Sequence, residues 1–240
     1  MTTKRGTSGS AKLREAVCRA NRELAATPGL VQGTFGNVSG VDRAAGLFVI
    51  KPSGVPYDQL TPARMVAVAL DTGRVLGGKL RPSSDAPTHL EVYRAFNCGG
   101  VAHTHSELAT AFAQARHAIR CLGTTHADYF RGEVPVTRPL TAAEVAREYE
   151  RNTGLVIVET FSRGGMSPGD VGAVLVAGHG PFAWGVDASA AVERARALEF
   201  VARLAYAAER ITPNAPALDA FLVDKHYGRK HGKDAYYGQP

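Results

Sequence analysis

The chain has 240 residues, 45% of them hydrophobic and 21% charged, with 28 Lys and Arg against 22 Asp and Glu for a net charge of +6. That is ordinary for a globular domain able to bury a sizeable core, and no apolar run approaches the roughly 20 residues needed to span a bilayer. Cys18, Cys98 and Cys121 are far apart and form no CxxC, which argues against both a disulfide framework and a thiolate metal site.

In chain order, residues 1–11 are Thr/Ser/Gly-rich with Lys4 and Arg5 and lack the apolar stretch of a signal peptide. They read as a disordered tail of a cytoplasmic protein, leaving 12–240 as a single domain. Lys12 to Ala26 has helical periodicity and stops at Pro28-Gly29. Leu47 to Ile50 reads as a short buried strand, and Met65 to Leu70 as another that turns at Asp71-Thr72-Gly73 into Val75-Leu76. Pro87 to Phe96 is predicted helical, Gly100 to His105 a strand, and Leu108 to Ala115 a helix. Thr141 and Glu144 form a capping box that opens a helix to about Arg151. Leu155 to Phe161 and Val171 to Ala177 read as apolar strands. Ala188 to Ile211 is the longest predicted helix and ends before Pro213, and Ala217 to Tyr227 is the last. Interspersed short strands, one pair joined as a hairpin, favour an α/β fold with antiparallel pairs and helices on the sheet faces. No GxGxxG or GxxxxGK[ST] supports a dinucleotide or P-loop site.

Four residues carry ligand chemistry. His103 and His105 are two apart, so on a strand they project to one side. Alone, such a pair is matched by the reading of two ordinary strand histidines. Asp85 follows Ser83 and Ser84 at a predicted helix start, where it could equally be an N-cap. His179 lies between two glycines after an apolar run, where it could be a plain turn residue. Together, three imidazoles and a carboxylate are the ligand mix of a catalytic divalent metal, with zinc the default. Cys98 lies near the pair and is either a further ligand or a small buried residue.

Three loops have the makings of an anion cradle. Gly33 to Ser39 is a Gly-rich turn ending in polar side chains, Lys51-Pro52-Ser53-Gly54 follows a strand, and Ser83-Ser84 precedes a helix whose free N–H groups attract anions. Near the C-terminus Lys225, His226, Arg229, Lys230, His231 and Lys233 lie among Tyr227, Tyr236 and Tyr237. On composition that cluster fits nucleic acid or a phosphorylated small molecule equally well.

At this point several segments become recognisable: GTFGNVSGVDR (33–43), FVIKPSGVPYDQLT (48–61), RPSSDAPTH (81–89), GGVAHTHS (99–106), GTTHADYFRG (123–132), VIVETF (156–161), GHGPFAWG (178–185) and DKHYGRKHGKDAYYGQ (224–239). They closely resemble the L-ribulose-5-phosphate 4-epimerases of the class II aldolase/epimerase superfamily, over nearly the whole chain from Lys12. The resemblance implies a three-layer α/β/α fold around a mainly antiparallel sheet. It implies a Zn2+ site, with Mn2+ or Co2+ as alternatives, from Asp85, His103, His105 and His179. It implies substrate contacts at Gly36, Asn37, Ser53, Gly54, Ser83 and Ser84, with Lys51 nearby. Asp128 matches a catalytic acid/base on one face of the substrate. Tyr237 matches its counterpart on the opposite face, supplied across a subunit boundary of a fourfold homotetramer. Thr124, Glu150, His226 and Arg229 match further pocket residues. The implied partner is a phosphorylated ketopentose, with no nucleic acid and no membrane.

The departures from the family pattern are small. Asn97-Cys98-Gly99 is one residue shorter than usual, Phe35 stands where Trp is common, and the N-terminus is extended. The implied reaction inverts C4 of L-ribulose 5-phosphate to give D-xylulose 5-phosphate, by retro-aldol cleavage of C3–C4 and re-addition. The chief alternative is an aldolase of the fuculose- or rhamnulose-phosphate type; such aldolases tend to carry Glu where Asp85 stands. A nucleic-acid or adaptor protein with a structural metal is a third class, disfavoured because structural zinc prefers Cys-rich coordination.

Overall fold

The computed structural model describes residues 4–238. In chain order the elements are α1 (Lys4–Ala26), β1 (Asn37–Asp42), β2 (Leu47–Ile50), β3 (Val66–Ala69), α2 (Ala86–Ala95), β4 (Gly100–His103), α3 (Glu107–Ala115), α4 (Thr124–Ala127), α5 (Ala142–Gly164), α6 (Pro168–Val171), β5 (Ala173–Leu175), β6 (Pro181–Gly185), α7 (Ala188–Ile211) and α8 (Ala220–His231). The strands form a six-stranded sheet in the order β3-β2-β1-β4-β6-β5, and every adjacent pair is antiparallel.

Side chains alternate across this sheet, as the two-residue period of a strand requires. Val49, Ala67, Ala102, Leu175 and Ala183 pack against α1, α3 and α7. Phe48, Ile50, Val66, Val68, Val101, Val174, Phe182 and Trp184 face the opposite way, against α2 and α5. The result is a helix–sheet–helix sandwich with both sheet faces buried, the three-layer α/β/α arrangement expected. Each fully buried Phe contributes roughly 1.5–3 kcal/mol, so the two faces hold the strand ends in a fixed register.

Several sequence expectations are corrected. Leu155 to Phe161 is not a strand; it lies inside α5, which runs on from the Thr141/Glu144 capping box to Gly164. The buried members are Thr153, Gly154, Val156, Ile157 and Phe161, a helical spacing that a solid apolar run conceals. Helix α5 is not continuous: Glu148 has φ −140° and ψ 69°, and Asn152 Nδ2 donates to the Glu144 carbonyl beside the break. Helix α1 starts at Lys4, within the segment expected to be a tail, while residues 1–3 lie outside the described part. The Gly100 strand ends at His103 rather than His105. The run from Val171 splits into the end of α6 and the short β5. β1 and β6 were not predicted: Gly40 and Gly185 interrupt their apolar patterns.

The helices that frame the site are pinned by specific contacts. The carboxylate of Glu199 on α7 accepts hydrogen bonds from the backbone N–H groups of Leu108 and Ala109, satisfying the start of α3 just past His105. Helices α2 and α5 approach closely at Gly154, where an added Cβ would lie 2.8 Å from Glu91 Cβ and 2.9 Å from the Thr88 carbonyl.

Candidate metal centre and active site

The sheet register builds the site. Asn37 on β1 pairs with His103 on β4, which pairs in turn with Phe182 on β6. These three side chains therefore stand in a row across one face of the sheet, at its edge toward α2. The His103 ring stacks on Phe182 at 4.1 Å, and its Nδ1–H donates to the Pro181 carbonyl at 2.9 Å. That bond leaves the lone pair on Nε2, which faces His105 Nε2 at 3.2 Å. His105 reaches this point from the loop after β4, and His179 from the turn between β5 and β6. One ligand nitrogen from each histidine lies within 4.8 Å of the other two.

Asp85 lines the same pocket as the residue before α2. Its Oδ2 accepts from Asn37 Nδ2 at 2.7 Å and from Ser83 Oγ at 3.4 Å. Burial pushes the Asp85 pKa up, but His103, His89, the Asn37 hydrogen bond and His179 together hold it below the usual carboxylate value. Burial and the His103 charge push His179 down to about 4, and the same two causes lower His105. Both imidazoles are thus neutral near pH 7, the form that ligates a metal. The two facing nitrogens, 3.2 Å apart, hold either a proton or a cation between them, and three histidines beside a carboxylate suit a divalent transition ion.

The pocket around this group encloses about 360 Å3. Of the residues expected to bind substrate, Gly36, Asn37, Lys51, Ser53, Gly54, Ser83, Ser84 and Glu150 all line it, together with the four expected ligands. The loops are tied to each other: Ser83 N donates to the Lys51 carbonyl at 2.8 Å, and Ser53 N to the Arg81 carbonyl at 3.0 Å. Gly36 has φ +83°, and a Cβ there would stand 3.0 Å from the His103 carbonyl. Only glycine allows β1 to start this close to the metal strand. Lys51 is 2% exposed, its Nζ donates to the Thr34 carbonyl at 3.3 Å and sits 4.8 Å over the Tyr57 ring. Burial lowers its pKa against the pull of Asp85. A larger cleft of about 750 Å3 shares Ser53, Ser83, Ser84 and Glu150 with this pocket but contains none of the three histidines. The histidine group lies in the smaller one.

Tyr149 is a pocket residue that the sequence did not disclose. It lines the cavity with its hydroxyl 3.5 Å from His179 Nδ1. Tyr149 and Glu150 directly follow the break at Glu148, and both line the cavity.

Asp128, Thr124, His226, Arg229 and Tyr237 do not line this pocket. They assemble instead into a second constellation. Asp128 follows α4 and donates its N–H to the Thr124 carbonyl. Its carboxylate accepts from Arg229 at 2.8 Å, from His226 Nδ1 at 3.1 Å, and lies 3.9 Å from Lys230 Nζ. Arg229 also stacks 4.8 Å over the Tyr237 ring. Burial raises the Asp128 pKa, yet the hydrogen bonds from Arg229 and His226 and the Lys230 charge bring it below the ordinary value. The two expected acid/base groups are therefore neighbours, joined through Arg229 of α8. Cys98 is buried and lies outside the histidine pocket, so it acts as a packing residue.

Residues 15–206 match the family described as Class II Aldolase and Adducin N-terminal domain. The chain belongs to this family. Among solved structures, the class II aldolase chain is similar to an L-fuculose 1-phosphate aldolase, with 23% identity over 91% of this chain and 95% of that one, at a TM-score of 0.76. It is also similar to L-fuculose-1-phosphate aldolase from Thermus thermophilus, with 28% identity over 86% and 100% of the two chains, at a TM-score of 0.65. YgbL from Klebsiella pneumoniae, described with aldolase, epimerase and decarboxylase as its candidate activities, matches at 25% identity over 90% and 98%, with a TM-score of 0.70. The class II aldolase fold accounts for the antiparallel sheet between helical layers. No helix of the described residues is long and apolar enough to cross a membrane.

Proposed function

We propose that the protein is a metal-dependent enzyme that epimerises L-ribulose 5-phosphate at C4 to D-xylulose 5-phosphate. C4 bears no acidic proton, so inversion requires breaking C3–C4 and remaking it on the other face of the aldehyde. His103, His105, His179 and Asp85 would hold a divalent ion, which when bound would supply Lewis acidity toward the ketose oxygens, Zn2+ by ligand type, with Mn2+ or Co2+ as substitutes. Ser53, Gly54, Ser83 and Ser84 offer donors to the phosphate, Asn37 holds Ser83 and Asp85 in place beside it, and Lys51 adds a positive charge behind them. Holding the phosphate keeps the glycolaldehyde phosphate fragment in the pocket while its carbonyl turns. Inversion needs a proton acceptor and a donor on opposite faces of C4, and Asp128 and Tyr237 take these roles. A neighbouring copy in a fourfold assembly supplies Tyr237 across the subunit boundary, with Thr124, His226 and Arg229 among the residues that line the pocket.

The observation that carries the epimerase reading over an aldolase is the tethering of Asp85. Its short side chain is held by Asn37 and Ser83 beside the three-histidine group, which keeps the carboxylate at the metal centre and leaves proton transfer to other residues. The second reading, cleavage of a deoxyketose 1-phosphate with release of both products, is favoured by the two fuculose-phosphate aldolases above. Purified zinc-loaded protein should convert L-ribulose 5-phosphate to D-xylulose 5-phosphate without accumulating free aldehyde. Release of lactaldehyde from L-fuculose 1-phosphate, with no pentulose epimerisation, would replace the first reading by the second.

A further inference from the structure

Beneath the metal pocket lies a buried line of hydrogen-bonding side chains that no step above uses. Tyr93 is 1% exposed, and Ser39 and His89 are fully buried. Ser39 Oγ lies 2.7 Å from the Tyr93 hydroxyl and 2.7 Å from His89 Nδ1. The proton directions follow from counting. The phenol of Tyr93 has one proton and, among the described side chains, one partner, Ser39 Oγ. A buried donor left unmade is costly, so Tyr93 donates to Ser39. Ser39 then gives its own single proton to His89 Nδ1. The neutral His89 ring consequently carries its proton on Nε2.

That Nε2 is buried and without a partner among the described residues, and so is the Asn37 side-chain oxygen. The Asn37 amide cannot be turned to relieve this, because its NH2 already serves the Asp85 carboxylate at 2.7 Å and Ser83 Oγ at 3.1 Å. One orphan is a donor and the other an acceptor. Asn37 and Ser39 are two residues apart on β1, so both face the layer that holds His89. His89 sits one helical turn beyond Asp85, its N–H bonded to the Asp85 carbonyl.

We infer that His89 is a positioning residue for the metal centre: its Nε2–H reaches Asn37 Oδ1 across one bridging water. This completes a line Tyr93–Ser39–His89–Asn37–Asp85 that ends on a metal ligand. The line orients the Asn37 amide, which in turn fixes the carboxylate. Outer partners of this kind set ligand geometry, and losing one typically weakens metal binding about 10–100-fold.

The inference rests on the metal site proposed above, and two readouts keep the two apart. With 15N-histidine labelling, long-range 1H–15N couplings in the metal-free protein should show His89 protonated at Nε2 and bare at Nδ1. A proton on Nδ1 would overturn the inference whatever the protein binds. Zn2+ affinity, measured by competition with a chelator, should fall about tenfold or more in His89→Leu and recover largely in His89→Gln, whose amide can donate from a similar place. Tyr93→Phe, which deletes one hydroxyl far from the ligands, covers the case in which His89→Leu fails to fold and should also weaken Zn2+. Unchanged Zn2+ affinity in folded His89→Leu or Tyr93→Phe reduces the line to a packing feature. If the wild-type protein binds no divalent ion, the metal reading fails, while the coupling measurement still decides the tautomer line.

Discussion

Buried histidines make this protein's stability depend on acidity even away from the metal centre. His126 is 4% exposed and its Nε2–H donates to the Gly132 carbonyl at 2.7 Å. Burial pushes its pKa down to about 4 and that of His89 down to about 3. In the unfolded chain both protonate near 6.5. Between about 6.5 and 4 the unfolded chain therefore binds more protons than the folded one, and stability falls as pH drops through that window. The His126 shift alone corresponds to roughly 3 kcal/mol. Chemical denaturation of the metal-stripped protein at pH 7 and pH 4.5 should show this loss, and His126→Gln should lose distinctly less. Equal losses in variant and parent would mean that His126 is not held neutral. At this scale much of the site was legible in the sequence. Metal and phosphate chemistry accept few residue types, so Asp85, His103, His105, His179, Ser53, Ser83 and Ser84 stood out by identity. Tyr149 and His89 did not, because an aromatic in a helix and a histidine in an apolar stretch look like core until their neighbours are known.

Secondary elements matter here mainly through where they stop and break. The Leu155 to Phe161 run fits a strand or a buried helix by apolar content alone, and only its packing on α2 separates the two. Gly154 is the point of nearest approach between those helices. Gly154→Val would push branched methyl groups into Glu91 and the Thr88 backbone, and overpacking of this kind costs about 1–3 kcal/mol. Thermal unfolding should record the loss. Because Tyr149 and Glu150 lie on the same helix one turn earlier, the variant should also bind substrate more weakly while retaining Zn2+. An unchanged melting temperature would show that α2 and α5 can separate without penalty. The break at Glu148 had no sequence signal, since no Pro or Gly stands there. Side chains hold it instead: Asn152 donates to the Glu144 carbonyl across the break, and Thr88 of α2 to the Glu150 carbonyl just past it. β1 and β6 were missed for a related reason. Their glycines look like turns in isolation, and the sheet requires them for close contact with α1 and α7.

At the scale of the whole molecule, the proposed reaction draws on two separate places in the class II aldolase chain. The histidine pocket is assembled by the sheet edge and α2, while Asp128, Arg229 and Tyr237 are gathered by α4 and α8. Tyr237→Phe should therefore leave Zn2+ binding and the melting curve as they were and remove most turnover. His179→Ala should lose Zn2+ affinity and turnover together. The separation has a genetic corollary. If each pocket is completed by a neighbour, a cell producing both of these inactive chains makes mixed assemblies in which some pockets have intact ligands facing an intact tyrosine. Two loss-of-function alleles would then complement each other inside one gene product, and co-expressed, co-purified chains would show activity that neither shows alone. Absence of any recovery in verified mixed assemblies would mean that each chain serves its own pocket.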